Sequence, residues 1–517
     1  MVETLIPTGL LPENFKTVGS QLHENCKKEN RNAFVCLDDG QAISWQDLFN
    51  FILKVTHFLK INGVKANDRI VVLGENTIEN LIFYYGIQAY GATYCTINVE
   101  INQNHLLEML HRLQPKFVFC QEGLGLDTTD ISQVGKWVSY GSRLADNGLF
   151  KGLHKFSQKS KLDPVNEPED RCVISFTSGT SAQPKGVLHS FSNYQAIAQH
   201  QIERWKLTSK DRILEFRSFS WASSHMLSLN PILLAGATLL FSKRFSRSQF
   251  QKWIETYKPT IIIAVPTVVN MLLDEPIKNA KSVFSGVRFV SCSTAPLMPT
   301  SHQRFEDTYC VPLVQLYGMS EGGVIAANRP ETRVIGSVGT AGLYHELKIK
   351  GPGNSELPRG KIGEIESISA QHAHAYLYPD AKIENIRGKP LKTGDLGYMD
   401  ENGFLHITGR AKDVIIKGGV NISPLEIDAI LTAHNDIAEA VTFGIPDPIY
   451  GENLACFVTL ALNANITNED IVAHCKTKLT EIKWPKEIMI INEIPKNDRG
   501  KIDRRTALEV WRTKNFS

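Results

Sequence analysis

The chain has 517 residues, 42% of them apolar and 21% charged, with 56 basic against 54 acidic side chains. That length exceeds one ordinary hydrophobic core and predicts two or more domains, and the composition is that of a folded, soluble protein. A formal charge of +2 lacks the basic excess of a dedicated nucleic-acid binder, so no nucleic-acid partner is expected.

Nine cysteines run from Cys26 to Cys475, none in CxxC spacing. An odd, scattered set reads as reduced thiols in a cytoplasmic protein. The start, Met1-Val2-Glu3-Thr4, shows no basic region ahead of an apolar core, so no secretory signal is expected. The longest apolar stretch, Met226 to Phe241, is broken by Ser228, Asn230, Pro231 and Gly236, too short and too interrupted to cross a bilayer. His372 and His374 stand two apart in a strand-like stretch and read as a surface coincidence rather than a metal pair.

In chain order, residues 31–120 alternate strand-like and helix-like segments. Ser44 is placed to cap a helix whose apolar face is Leu48, Phe51, Ile52, Val55 and Leu59. Arg69 to Gly74 reads as a short buried strand, and a helix from Glu79 to Tyr90 stops at Gly91. The rhythm returns over 211–300, with strands predicted at Thr260–Thr267, where a proline intervenes, and at Val287–Ser291. Such alternation predicts an α/β fold, two mixed or parallel sheets with flanking helices. From 335 to 408 glycines and short alternating runs predict a small antiparallel β-barrel. After Arg410 a new, smaller α+β block begins. The polar run Gly409-Arg410-Ala411-Lys412-Asp413 suits a hinge, which divides the chain into a large domain, 1–409, and a small one, 410–517.

The most informative segment is Phe176-Thr177-Ser178-Gly179-Thr180-Ser181-Ala182-Gln183-Pro184-Lys185-Gly186. Its hydroxyls, glycines and lysine cannot pack as core. They can wrap a polyphosphate, with backbone N–H groups near the oxygens, hydroxyls to donate or to hold Mg²⁺, and Lys185 as a mobile charge. A Walker loop fits poorly: counted from Gly179, Pro184 falls on the second glycine and removes a phosphate-facing N–H. Downstream, Tyr317 in Leu316-Tyr317-Gly318-Met319-Ser320-Glu321 offers a flat ring for an adenine. Glu321 beside a polyphosphate suits a bridging Mg²⁺, which takes one or two carboxylates plus phosphate oxygens. Asp395, after Gly394 in Lys392-Thr393-Gly394-Asp395-Leu396-Gly397-Tyr398, can accept both ribose hydroxyls, and Arg410 can hold the same ribose. Read singly, Asp395 is equally a turn cap and Arg410 a surface ion pair.

Together with Gly409-Arg410-Ala411-Lys412-Asp413-Val414-Ile415-Ile416-Lys417-Gly418-Gly419 and Ile494-Pro495-Lys496-Asn497-Asp498-Arg499-Gly500-Lys501, these segments resemble, in order and spacing, the core motifs of the adenylate-forming superfamily. Within it the chain is most similar to the AMP-forming acyl-CoA synthetases, from about residue 20 to 510. The resemblance implies an acid–thiol ligase. A carboxylate attacks the α-phosphate of ATP·Mg²⁺ to give an acyl-adenylate and pyrophosphate, and the thiol of coenzyme A then displaces AMP. It assigns catalysis to Lys501, Thr180 and Glu321, with Thr180 and Glu321 on the metal. Thr177, Ser178, Gly179, Thr180, Lys185, Ser293, Thr294, Ala295, Pro296, Tyr317, Gly318, Met319, Ser320, Asp395, Arg410 and Lys501 fall to the nucleotide. Lys412 matches the pivot on which the small domain turns, and Gly418 and Gly419 the segment brought to the pantetheine tunnel.

Two departures bear on the acid. Ser291-Cys292-Ser293-Thr294-Ala295-Pro296-Leu297 puts Ser293 at a usual glycine position, and Trp221 stands where an aromatic residue, often histidine, is common. Trp221 reads equally well as core or as pocket wall, and His225, four residues on, shares its side if the segment is helical. Trp221, His225, Ser293 and Gly318 are therefore expected around a small or medium acid. A ligase that loads a carrier-protein phosphopantetheine shares the first half-reaction and stays as the alternative, with the chain's stand-alone length favouring coenzyme A. A catalytically silent nucleotide binder is disfavoured by the joint presence of Lys185, Glu321, Asp395, Arg410 and Lys501. Nothing signals a luciferase-like activity.

Overall fold

The structure, a computed structural model, describes residues 15–27, 31–100, 103–126, 133–145, 148–153, 162, 164–176, 184–462, 464–497 and 501–516. Local signals act as expected. The Ser44 hydroxyl accepts the Asp47 N–H at 3.0 Å and opens the helix Trp45–Ile61, worth about 1 kcal/mol as a cap. The helix Ile78–Tyr90 ends on Gly91 at φ 104°, a conformation that costs glycine nothing. Pro266 does more than stop the strand Ile261–Ala264, for it opens the helix Pro266–Asp274, where its missing N–H is not needed.

Among the described residues the strands form four sheets. A nine-stranded sheet has at its heart a parallel run of Leu313–Met319, Phe289–Cys292, Ile261–Ala264, Arg212–Glu215, Thr238–Phe241 and Asn32–Cys36. An eight-stranded sheet holds the parallel strands Arg171–Phe176, Thr93–Thr96, Arg69–Leu73, Phe117–Gln121 and Lys136–Tyr140, with Gly186–Ser190 and Ala375–Leu377 added antiparallel. The largest apolar cluster draws on both sheets and on the helices Trp45–Ile61, Ile78–Tyr90 and Phe191–Trp205, so the helices share one core with the two sheets.

Two details differ from expectation. Asn32–Cys36 pairs with Thr238–Phe241, so the first strand of the early segment belongs to the later sheet. Its residues Ala33 to Cys36 are buried on both faces, and such a strand carries no local mark of which sheet it joins. Where a barrel is expected, His345–Lys350, Gly363–Ser369, Leu391–Met399 and Leu405–Arg410 make a four-stranded antiparallel sheet over a small core of Ala326, Ile349, Ile365 and Leu405.

Past Arg410 a short 3₁₀ turn, Ala411–Asp413, leads into a five-stranded sheet with the helices Pro424–Thr432, Asn468–Lys478 and Arg504–Phe516. That region has apolar clusters of its own, a large α/β body plus a smaller C-terminal one.

Candidate active site

Parallel strands bring their C-terminal ends to one edge of a sheet, where α/β proteins bind ligands. At that edge of the nine-stranded sheet, Phe289–Cys292 delivers Ser293 and Thr294, and Leu313–Met319 delivers Tyr317. A register shift between Tyr317 and Gly318 re-aims the strand end. Gly318 is required there, since a Cβ would lie 2.3 Å from the Gly323 carbonyl oxygen. Thr294 holds φ 77°, a strained state for a β-branched residue, beside the buried Ser293.

The small antiparallel sheet supplies the next residues. Asp395 and Arg410 are cross-strand partners, and the Arg410 Nε lies 3.0 Å from Asp395 Oδ1. The other carboxylate oxygen accepts the Tyr317 hydroxyl at 2.6 Å. Asp395 is 7% exposed, and its N–H donates to Thr393 Oγ1 at 3.2 Å. Burial and the neighbouring Asp395 carboxylate push the Tyr317 phenol well above its ordinary range, so it stays a neutral donor. Arg410 is exposed. Burial raises the Glu321 carboxyl, opposed by the charges of Lys185 and Arg410. Lys185 in turn lies over two rings, 4.7 Å from the Tyr378 centroid and 5.4 Å from that of Tyr376. The register Leu377↔Gly186 explains this, because it sets Lys185 beside Tyr378.

Tyr317, Asp395 and Arg410 thus form one hydrogen-bonded line, and the charges of Lys185 and Arg410, 225 positions apart in the chain, both act on Glu321. Cation–ring contacts of this kind hold a lysine without neutralising it. Thr177, Ser178, Gly179 and Thr180 lie outside the described residues. Ala295 and Pro296 follow Thr294 in the same turn, and the Ser320 carbonyl accepts from His189 Nε2 at 2.7 Å. Met319 ends its strand half-buried.

The other expected residues lie elsewhere. Trp221 is half-buried and precedes the turn Ala222–Ser224. His225 opens a π-helical turn, His225–Leu229, and is fully buried. Its Nε2 donates to the Phe219 carbonyl at 2.7 Å, so Nδ1 accepts the Tyr194 hydroxyl at 3.2 Å. Burial lowers it to about 4. A neutral ring with both nitrogens engaged is a wall, not a spare acid or base. His372 is buried too and bonds Ser367 Oγ at 3.1 Å, which corrects its reading as a surface residue. Among the described residues no group of three or more histidine, cysteine and acidic side chains is placed to hold a metal ion.

In the C-terminal region Lys412 is exposed within the Ala411–Asp413 turn. Gly418 (φ 57°) and Gly419 (φ 80°) are the two-residue tip of the hairpin Ile415–Lys417/Val420–Ile422, the turn type that needs positive φ twice. The Gly418 N–H donates to the Tyr450 carbonyl at 2.9 Å. Lys501 exchanges bonds with Asn497: its N–H donates to Asn497 Oδ1 at 3.1 Å and its carbonyl accepts the Asn497 N–H at 2.8 Å.

Sequence reasoning missed Tyr376 and Tyr378, though their i, i+2 spacing in a strand is the signal for a shared face. It also missed the buried pair of Glu215 and Arg217, where Arg217 Nε donates to Glu215 Oε1 at 2.9 Å. No helix among the described residues is long and apolar enough to cross a membrane.

The model of the AMP-binding enzymes matches residues 22–377, and that of the AMP-binding enzyme C-terminal domain residues 426–501. The chain is 33% identical to the sulfoacetate–CoA ligase of Cupriavidus necator over 90% of its own length and 92% of the relative's. It is 29% identical to the oxalate–CoA ligase of Arabidopsis thaliana, covering 86% and 89%. Its fold matches ATP-bound MatB from Rhodopseudomonas palustris with a TM-score of 0.86 at 23% identity, over 97% of this chain and 99% of that one. The chain belongs to the AMP-binding enzymes: it is an adenylate-forming acid–thiol ligase of the acyl-CoA synthetase kind, which activates a carboxylic acid with ATP and passes the acyl group to coenzyme A.

Proposed function

We propose that the Tyr317–Asp395–Arg410 line, with Glu321 and Lys185, is the nucleotide site, and that its residues divide the work as follows. Tyr317 presents its ring to the adenine while its hydroxyl stays on Asp395. Asp395 takes the ribose hydroxyls. A carboxylate has about four acceptor positions, so two bonds from protein leave room for them. Arg410 closes the ribose from the opposite strand. Lys185 and the 177–180 segment hold the phosphates, and Ser293, Thr294, Ala295 and Pro296 border the nucleotide with Gly318, Met319 and Ser320.

The donor set fits Mg²⁺. Glu321 is a half-buried carboxylate that pays for its charge unless a cation is near, and Thr180 adds a hydroxyl. When bound there, the metal neutralises phosphate charge. Lys501 bridges the acid's carboxylate and the α-phosphate, strengthening as charge develops between them. It then leaves, the 410–517 domain turning at Lys412, and the Gly418–Gly419 tip enters beside the pantetheine. A hinge of a few residues can absorb such a change. The exposed turn at Ala411–Asp413 and its boundary position support this division at 409/410.

Trp221, Ser293, Gly318 and, behind them, His225 surround a small or medium acid. The named activities of the sulfoacetate and oxalate ligases support that size. The nine cysteines, free in the structure, favour a reducing, cytoplasmic setting, and the near-neutral charge disfavours nucleic acid. Coenzyme A is the acceptor thiol; a carrier-protein phosphopantetheine is the second reading.

The hydrogen-bonded line Tyr317–Asp395–Arg410 carries the proposal. Carboxylate-dependent ATP–pyrophosphate exchange tests it, followed by presentation of both thiols to the adenylate. Nucleotide binding without exchange on any acid contradicts it.

A further inference from the structure

Glu321 stands in the tip Ser320-Glu321-Gly322 of the hairpin formed by Leu313–Met319 and Gly323–Ala327. A carboxylate on so short a tip is aimed by its own main chain, and that main chain is held from outside. The Glu321 carbonyl accepts the Ala373 N–H at 2.7 Å. Just past the tip, the Val324 N–H donates to Gln371 Oε1 at 3.1 Å. Gln371 packs so closely that a Cβ on Gly323 would lie 2.8 Å from the same oxygen. The other end of the Gln371 amide donates to the Leu343 carbonyl at 2.7 Å. Gln371 is fully buried, where such bonds meet little competition from water.

The same stretch of chain runs on to Lys185. Ala375–Leu377 pairs with Gly186–Ser190 on one side and with Ile383–Asn385 on the other. Tyr376 and Tyr378, two apart, share a face, their ring centroids 6.1 Å from each other. The Tyr378 hydroxyl donates to Glu384 Oε2 at 2.7 Å and fixes that ring. These rings carry the Lys185 ammonium at 5.4 Å and 4.7 Å. The Lys185 charge is felt at Glu321, and the Glu321 charge, with burial, pushes up the phenol of Tyr376. Ala373, bonded to Glu321, and Tyr378, against Lys185, are five positions apart, at most about 18 Å of extended chain.

We infer that the connection from Gln371 to Tyr378 sets the spacing of Glu321 and Lys185 around the phosphates, Gln371 being a positioning residue for the first and Tyr378 for the second. The inference rests on the nucleotide site proposed above. Main-chain N–H groups, an amide and two rings hold both charges without neutralising either. Charges placed in advance need no rearrangement when the ligand arrives.

The test uses the full chain and reads equilibrium affinity for ATP and for AMP by calorimetry, with Mg²⁺ and with EDTA. Tyr378→Ser weakens Mg·ATP about threefold to tenfold and AMP, which has a single phosphate, by less than about twofold. Tyr378→Phe keeps the ring and binds Mg·ATP like the unaltered chain. In a Lys185→Ala background Tyr378→Ser adds nothing, a non-additivity that a general loss of packing does not produce. Gln371→Met cuts the gain in ATP affinity that Mg²⁺ brings over EDTA by about threefold or more, with AMP affinity kept. Should Gln371→Met fail to fold, the Tyr378 series alone decides. Tyr378→Ser matching the unaltered chain on Mg·ATP, losses in Lys185→Ala and Tyr378→Ser that simply add, or a Mg²⁺ gain untouched by Gln371→Met overturns the inference while the nucleotide site stands. Absence of ATP and AMP binding by the unaltered chain overturns the proposed nucleotide site and the inference with it.

Discussion

Tyr317, Asp395 and Arg410 come from three strands and are fastened to one another before any nucleotide arrives. Lys501, by contrast, sits in a short polar segment after the isolated bridge partner Lys496, its main chain tied to Asn497 four residues away. The first group is pre-organised, so binding costs little rearrangement. The second is local and can be carried as a unit. On the roles proposed above, the contrast would let a two-step ligase keep its nucleotide frame rigid and confine motion to the one charge that only the first step needs.

The widest gap between the two regions is expected from Lys501→Ala. Opposite charges ~4 Å apart at an effective dielectric of ~20 attract by about 4 kcal/mol. If most of that is gained in the transition state, adenylate formation slows by about 10²–10³. Single-turnover pyrophosphate release measures it, with the affinity for ATP little changed. In the rigid frame, Asp395→Ala leaves the Tyr317 hydroxyl and the Arg410 guanidinium without their carboxylate. Equilibrium binding of ATP weakens by about 10-fold to 100-fold; an unchanged affinity breaks the claim that this frame holds the nucleotide.

Smaller effects separate two glutamates. Burial raises the Glu321 carboxyl, so its folded-state value lies above the unfolded one and its charge costs stability as pH rises through that value. Glu321→Gln is expected to raise the Tm of the ligand-free protein at neutral pH while lowering activity with Mg·ATP, the exchange of stability for function seen at active sites. Glu306 runs the other way. Burial pushes it up, but bonds from the Arg333 guanidinium, His302 and the Leu313 N–H outweigh this and hold it at about 2, against an ordinary 4.5. Its contribution is present above pH 4.5 and is lost as pH falls towards 2. Thermal unfolding across that window should show Glu306→Gln less stable than wild type at pH 6, with the difference closing by pH ~2.

Much of this was legible in the sequence because the signals are local. Ser44, Gly91 and the apolar strands at 69–74 and 261–264 declare themselves through capping, left-handed φ and burial on both faces. Of the residues expected at the site, Tyr317, Asp395 and Arg410 do stand together, while the glycine-rich segment at 177–183 lies outside the described residues. Relations between distant segments were not legible. Nothing local tells Asn32–Cys36 to pair with Thr238–Phe241, that Lys185 lies over Tyr376 and Tyr378, or that both His225 nitrogens are consumed by Phe219 and Tyr194. The Glu215–Arg217 pair was hidden for another reason: two charges in a near-apolar run look like surface until the fold buries them.

The division of labour between frame and delivered lysine is tested most directly by timing the two half-reactions separately in Lys501→Ala and Gly419→Ala. A Cβ at Gly419 meets open space but a strained φ of 80°, so this change perturbs the hairpin tip and leaves the nucleotide frame intact. The account predicts a double dissociation. Lys501→Ala loses adenylate formation yet converts supplied acyl-adenylate to thioester, and Gly419→Ala keeps adenylate formation yet slows thioester release. Equal losses of both half-reactions in both variants would contradict it.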